Sequence, residues 1–420
     1  MRRLRFPRRQ NWTVTQNPSM NTVPGRLGIL HLTQIAQEEM HQATLETSQS
    51  VHHSMQDREV AAHLLVAAVL AVVEKDLAVH LRVGAEDLVV VAKKIWGEHD
   101  LLLADLDGVV YEGTAAIKDA VETLNSIASQ GIPVGYVTNN SSRKPETIVQ
   151  QLLELGLHAK PEDIISSGQT AVELLQTKLS PRAKVLVVGG EGLRARVSAG
   201  GFEIVSSSDD KPQAVIQGFA PDVSWRDLAE ASYSIQNGAI WVATNNDWTL
   251  PQEKGLAPGN GTLVGAVHTA VGQLPIVAGK PEPAIFQTAL NLCKPENPVF
   301  VGDRMDTDIL GSNRAGIKSI LVLTGVSTRK DVLAAKLEER PNYIIESLAE
   351  LNASYLEPKQ TKRGWSCGKA SVELLGDKVL VTEGNPQSIE ALRAACMVIW
   401  NSGKHIHFLN VQSELYEKKA

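Results

Sequence analysis

From Leu101 onward the chain alternates short apolar runs with segments of helix length, and this alternation narrows the possible folds more than any other feature. Leu101-Leu102-Leu103-Ala104, Val134 to Val137, Val299 to Val301 and Ser319 to Leu323 read as strands, and Ile117 to Ser129 as a helix. Strands alternating with helical patterns predict an α/β fold with a parallel sheet. Aromatic residues make up only 5% of the chain, so its core rests on Val, Leu, Ile and Ala, which suits strands buried on both faces. A second alternating block, with strands at Val185 to Val188, Ala214 to Gln217 and Ile240 to Ala243, reads as an inserted domain of about 100 residues.

The flanks differ in texture. Residues 1–54 mix Gln, Thr, Ser, Asn and His without a sustained period and read as disordered, with Met55 a conceivable alternative start. Residues 55–97 are rich in Ala and Leu and read as a helical extension of unreadable role. After about Glu350 a polar joint, Glu357 to Gly364, leads to a tail with a strand-like Lys378 to Thr382 and a helix from Pro386 to Trp400. The apolar face of Ala391 to Trp400 reads as core in preference to a partner site.

Composition excludes several classes. Lys and Arg number 41 against 47 for Asp and Glu, a net charge of −6 that argues against general nucleic-acid binding. The longest apolar run, Leu64 to Val73, ends at Glu74-Lys75-Asp76 and is far short of the roughly 18 residues of a membrane span. We therefore expect neither nucleic acid nor membrane as a partner. Three cysteines, Cys293, Cys367 and Cys396, match no disulfide framework or zinc spacing and suit a reducing, cytoplasmic setting.

Four segments carry chemistry. Asp105-Leu106-Asp107-Gly108-Val109-Val110-Tyr111 places two carboxylates at the C-terminal end of a buried strand, the edge where α/β proteins bind ligands. Two such acids repel unless a cation or proton intervenes, and Mg²⁺ would serve; the plainer reading is a turn with solvated acids. Thr138-Asn139-Asn140 ends the next strand and offers a hydroxyl and backbone amides to a phosphate, or is an ordinary turn. Gly279-Lys280-Pro281 sets a cation where a strand meets a helix, where a solvated lysine would also be at home. Gly302-Asp303-Arg304-Met305-Asp306-Thr307-Asp308 puts acids after a further apolar strand, to hold a metal or to favour a helix N-terminus.

Together and in this order these segments resemble the haloacid dehalogenase-type phosphatases, and within them the NagD-like branch, over about residues 99–350. The resemblance implies an α/β fold: a Rossmann-like core with a parallel sheet and an inserted α/β cap of the C2 type. It divides the chain into core at 98–177, cap at 178–274, core again at 275–350, and a linker with tail at 351–420. It also implies roles. Asp105 would attack phosphorus, Asp107 would act as general acid and base, and Lys280 would complete the catalytic set. Mg²⁺ would be held by Asp105, the main chain of Asp107, and Asp303, with Asp308 behind them. Thr138, Asn139, Asn140 and Lys280 would bind the phosphate, and the loop with Asn246 and Asp247 would meet the substrate from the cap.

One rival motif is Gly190-Glu191-Gly192-Leu193-Arg194-Ala195, which imitates a dinucleotide fingerprint. The loop-like Asp209-Asp210-Lys211-Pro212 stands where that fingerprint needs the end of a second strand, and a strand–turn–helix of the cap explains the motif equally well. The tail resembles the shortened acetyltransferase-like segment of actinobacterial D,L-glycerol-3-phosphate phosphatases, and it lacks a pyrophosphate-cradling glycine loop. The resemblance thus implies a Mg²⁺-dependent phosphatase of a small phosphorylated metabolite, foremost glycerol 3-phosphate, as a possible homodimer. Alternatives are 2-phosphoglycolate, 4-nitrophenyl phosphate, pyridoxal phosphate or nucleoside monophosphates, or a silent binding protein on the same fold.

Overall fold

A computed structural model describes residues 94–417 apart from residue 253. Residues 1–54 and nearly all of 55–97, with Met55 and the Leu64 to Val73 run, lie outside the described residues. Six parallel strands form the central sheet, in the spatial order Tyr343–Ile345, Lys318–Val322, Pro298–Gly302, Leu101–Ala104, Val134–Thr138 and Ile164–Ser166. Leu101–Ala104 is central and wholly buried because helices cover both sheet faces. Its side chains alternate between them. Leu102 and Ala104 join Leu124, Ile127, Ile148 and Leu152 on one side, whereas Leu101 and Leu103 join Ile285, Phe286 and Phe300 on the other. Each such leucine, fully buried, contributes roughly 1.5–3 kcal/mol.

The helix expected from Ile117 starts at Ala120. Ile117 instead donates its N–H to the Val110 carbonyl, closing a short hairpin, and Asp119 takes a left-handed φ of 64° before the helix begins.

The inserted sheet has five parallel strands in the order Ile276–Val277, Ile240–Ala243, Ala214–Gln217, Lys184–Val188 and Glu203–Val205. It reaches Val277, past the expected edge at 274, because Ile276 and Val277 pair with Val242 and Ala243. The glycines of the rival motif have a packing explanation. Gly190 caps the helix Glu191–Ala199, and a Cβ on Gly192 would lie 2.3 Å from the Ser142 carbonyl oxygen of the core. Asp209 and Asp210 lie in a 3₁₀ turn.

The tail forms a third sheet: Lys359–Gln360, Gly364–Cys367, Ala370–Leu375 and Lys378–Glu383 pair antiparallel in sequence order, and Asn410–Val411 joins the last in parallel. The helix Ile389–Trp400, capped by the Ser388 hydroxyl, lies on it. Ala391, Leu392, Ala394, Ala395 and Cys396 of this helix share one apolar cluster with Met305, Ile309, Leu321 and Val332, so its apolar face is core. Cys367 and Cys396 are buried free thiols. Among the described residues, no helix is long and apolar enough to cross a membrane.

Candidate active site

Parallel strands deliver their C-terminal ends to one edge, and the four sequence segments meet there. Asp105 follows Leu101–Ala104 directly and donates its N–H to the Val301 carbonyl at 2.9 Å, which carries the sheet pairing one residue further. Lys280 is buried, with Nζ 2.7 Å from Asp105 Oδ1 and 2.7 Å from Asp308 Oδ1. Burial works against its charge, but Asp105 and Asp308 outweigh burial and hold its pKa above the ordinary lysine value. Burial pushes the Asp105 carboxyl well above the usual range; Lys280 opposes this, and Asp308 and Asp303 add to it.

Asp105, Asp303 and Asp308 each present a carboxylate oxygen within 4.8 Å of the others. The π-helical turn Met305–Ile309, in which Ile309 donates to the Arg304 carbonyl at 3.1 Å, brings Asp308 back toward Asp303. Asp303 Oδ2 accepts the Val326 N–H at 2.7 Å, whereas its Oδ1 is buried without a hydrogen-bond partner. Burial first, then Asp308, raises the Asp303 carboxyl to about 7. Two glycines make the approach possible: a Cβ on Gly108 or Gly325 would lie 2.6 or 2.0 Å from Asp303 Oδ2. Three buried carboxylates against one ammonium leave an excess of negative charge, and an unpaired oxygen among hard donors fits a divalent cation such as Mg²⁺. Asp308, expected behind the metal ligands, stands in this group, whereas the Asp107 carboxylate does not.

Asp107 is solvent-exposed, yet the protein crowding around it raises its carboxyl; Lys280 and Arg143 pull the other way, and Asp247 adds to the rise. Thr138 is buried, and its Oγ1 accepts the Asn140 N–H at 3.1 Å while keeping its own hydrogen to donate. The side chain of Asn139 is committed elsewhere. Its Nδ2 donates to both carboxylate oxygens of Asp247, at 3.1 and 3.3 Å, and to the Lys280 carbonyl at 3.1 Å, while its Oδ1 accepts the Lys280 N–H at 2.8 Å. Asn140 Oδ1 accepts from the backbone and hydroxyl of Ser142, closing the turn. The Asn139 side chain is thus not left for a phosphate, whereas the Thr138 hydroxyl, the Asn140 Nδ2 and the backbone amides remain.

The cap loop carrying Asn246 and Asp247 meets the core here, against a second cap segment at Gly259 and Gly261. Asn245 Nδ2 donates to the Asn139 carbonyl at 2.7 Å, and the hydroxyls of Ser141 and Thr244 lie 2.9 Å apart. Gly259 and Gly261 admit the Asp247 and Asn246 carbonyls, which would lie 2.2 and 2.4 Å from an added Cβ. Asn246 is exposed, and Asp247 is half-buried. Burial raises the Asp247 carboxyl against the pull of Asn139, Arg304 and Lys280.

Sequence reasoning assigned no role to Arg143, Arg304, Asn245 or Gly325. Arg143 and Arg304 stand inside or just after the recognised segments, and Gly325 lies just past the strand Lys318–Val322, so position relative to strand ends was the available signal.

The model of the haloacid dehalogenase-like hydrolase family matches residues 102–203, and a second, HAD-hydrolase-like model matches 277–351. The D-glycerol 3-phosphate phosphatase of Mycobacterium tuberculosis is 42% identical over 315 residues, covering 74% of this chain and 88% of its own. The chain belongs to the haloacid dehalogenase-like hydrolases. All four chemistry-bearing segments of this family member fall inside the two matched stretches. The crystal structure of the mycobacterial glycerol phosphate phosphatase in complex with magnesium superposes with a TM-score of 0.69 at 39% identity, covering 76% of this chain and 94% of that one. The acid sugar phosphatase of Staphylococcus aureus is 36% identical over 255 residues, 60% of this chain and 96% of its own.

Proposed function

We propose that this haloacid dehalogenase-like hydrolase is a Mg²⁺-dependent phosphatase that cleaves glycerol 3-phosphate to glycerol and phosphate. The observation that carries the reaction type is the Lys280 ammonium held 2.7 Å from both Asp105 and Asp308 at the strand ends, beside the unpaired Asp303 oxygen. Asp105 attacks phosphorus and becomes an aspartyl-phosphate, splitting the displacement into two easier steps. Asp107 donates a proton to the leaving glycerol oxygen and then takes one from water. Its raised carboxyl suits both halves of that work. Lys280 and the Thr138 hydroxyl neutralise charge developing on the phosphoryl oxygens. Asp105, Asp303 and the main chain of Asp107 hold Mg²⁺, with Asp308 fixing Lys280 beside them. Bound there, the ion supplies Lewis-acid charge neutralisation at the phosphoryl group.

For the substrate, support comes from the mycobacterial relative, whose 315-residue match exceeds the 255 residues shared with the acid sugar phosphatase. The cap adds a chemical argument. Asp247 is the carboxylate that the cap loop brings over the site, and Arg304 is engaged at 3.1 and 3.0 Å by Asp306. An uncharged, hydroxyl-rich leaving group suits that surface better than the second carboxylate of 2-phosphoglycolate. The buried thiols of Cys367 and Cys396 support a cytoplasmic enzyme.

The test is phosphate release from glycerol 3-phosphate, 2-phosphoglycolate, 4-nitrophenyl phosphate, pyridoxal phosphate and nucleoside monophosphates, with Mg²⁺ and with EDTA. Release should require Mg²⁺, be fastest from glycerol 3-phosphate, and vanish in Asp105→Asn. A different ester at the head of the ranking would reject the substrate; undiminished turnover in Asp105→Asn would reject the mechanism.

A further inference from the structure

Beside the shared apolar cluster and the buried Arg393, which donates to the Ile344 carbonyl and to Glu350, one further buried side chain ties the tail to the segment around Asp303. The segment after the strand Lys318–Val322 wraps around Asp303: Thr324 Oγ1 donates to the Gly108 carbonyl at 2.7 Å, and Val326 N–H donates to Asp303 Oδ2 at 2.7 Å. Ser327 N–H donates to the Asp303 carbonyl at 3.1 Å, and the Ser327 hydroxyl accepts the Met305 N–H at 3.0 Å. Thr328 then caps the short helix Arg329–Leu333, whose first residue is Arg329.

Arg329 is 6% exposed. One of its terminal nitrogens pairs with Glu346 at the end of the core sheet. The other reaches two carbonyls of the tail, Ser388 at 3.4 Å and Leu415 at 3.3 Å. Trp400 of the tail helix donates to the Val332 carbonyl one turn further on, at 3.2 Å. The segment that grips Asp303 is therefore anchored at its far end to two tail carbonyls and one core carboxylate.

We propose that Arg329 is a positioning residue for the Asp303 carboxylate, and that the C-terminal sheet serves the reaction by holding Arg329 in place. A planar guanidinium is suited to this task because it can address a carboxylate and two carbonyls from one rigid group. With the anchor lost, Val326 and Ser327 are free to drift, and Asp303 loses the hydrogen bonds that aim its unpaired oxygen. Partners behind a metal ligand commonly tune affinity in this way. The inference rests on the reading of Asp303 as a Mg²⁺ ligand.

The test is calorimetric titration of Mg²⁺ into the full chain, for wild type, Arg329→Met, Arg329→Lys and Glu346→Gln, with kcat and KM measured against Mg²⁺ concentration. Arg329→Met should weaken Mg²⁺ binding about tenfold, the low end for outer partners of a metal site. KM for the ester at saturating Mg²⁺ should stay unchanged, and kcat should return as Mg²⁺ is raised. Arg329→Lys should recover part of the affinity, since an ammonium reaches Glu346 but cannot span both carbonyls. A folded Arg329→Met with a lowered Tm and wild-type Mg²⁺ affinity overturns the proposal, because a purely structural anchor would behave so. If Arg329→Met does not fold, Glu346→Gln decides, since Glu346 is 41% exposed and tolerates the change: weaker Mg²⁺ binding supports the proposal, and unchanged binding overturns it. Wild type that binds no Mg²⁺ would instead reject the metal reading beneath it.

Discussion

The Asn139 amide donates to both carboxylate oxygens of Asp247, across 108 residues of sequence, at 3.1 and 3.3 Å. The same side chain brackets the backbone of Lys280, so one asparagine ties the cap loop to the catalytic lysine. Asn139→Ala removes both links. A hydrogen bond to a charged group contributes about 1.5–3 kcal/mol. We expect kcat/KM to fall by roughly 10- to 150-fold, at about 1.4 kcal/mol per decade. Steady-state kinetics on glycerol 3-phosphate checks this, and a loss under threefold would contradict it.

Lys280→Met leaves Asp105 and Asp308 buried without their counter-charge. Breaking a buried ion pair from one side costs about 3–5 kcal/mol. Urea unfolding at pH 8 should show a loss of that order, accompanied by loss of turnover. Lowering the pH should narrow the gap from wild type, since the stranded carboxylates can then take up protons.

Mg²⁺ should stabilise the protein more at pH 8 than at pH 5.5. The Asp303 carboxyl is raised from 3.8 to about 7 in the metal-free chain. Its protonated form therefore favours folding: that contribution is full below about pH 4 and is lost as the pH rises through 7. A metal ligand must be deprotonated, so Mg²⁺ competes with that proton at the lower pH. Thermal unfolding with Mg²⁺ and with EDTA at the two pH values measures the difference. An equal Tm gain at both would refute it.

Gly192→Ala should destabilise the protein by about 1–3 kcal/mol, the usual cost of overpacking, because its methyl group meets the Ser142 carbonyl oxygen. NAD should shift the Tm of neither variant nor wild type. A nucleotide-dependent shift would restore the dinucleotide reading of this glycine motif.

The sequence by itself determined the alternation that makes a parallel sheet, and the strand ends at which Asp105, Thr138 and Asp303 stand. Periodicity and apolar runs are local properties, and a parallel sheet sends every such strand end to one edge. It also determined the four segments that place the chain among the haloacid dehalogenase-like hydrolases. Tertiary structure alone decided which groups touch. Asp308 joins the carboxylate cluster because a π-helical turn returns it toward Asp303, a geometry its spacing did not disclose. Asn139 turns to Asp247 and Lys280 instead of a phosphate because those partners arrive from 108 and 141 residues away. Gly192 is a contact point between cap and core, and Arg329 an anchor between core and tail, for the same reason. Hydrogen bonds and close approaches between distant segments depend on how sheets pack on one another, and no local pattern of residue types encodes that packing.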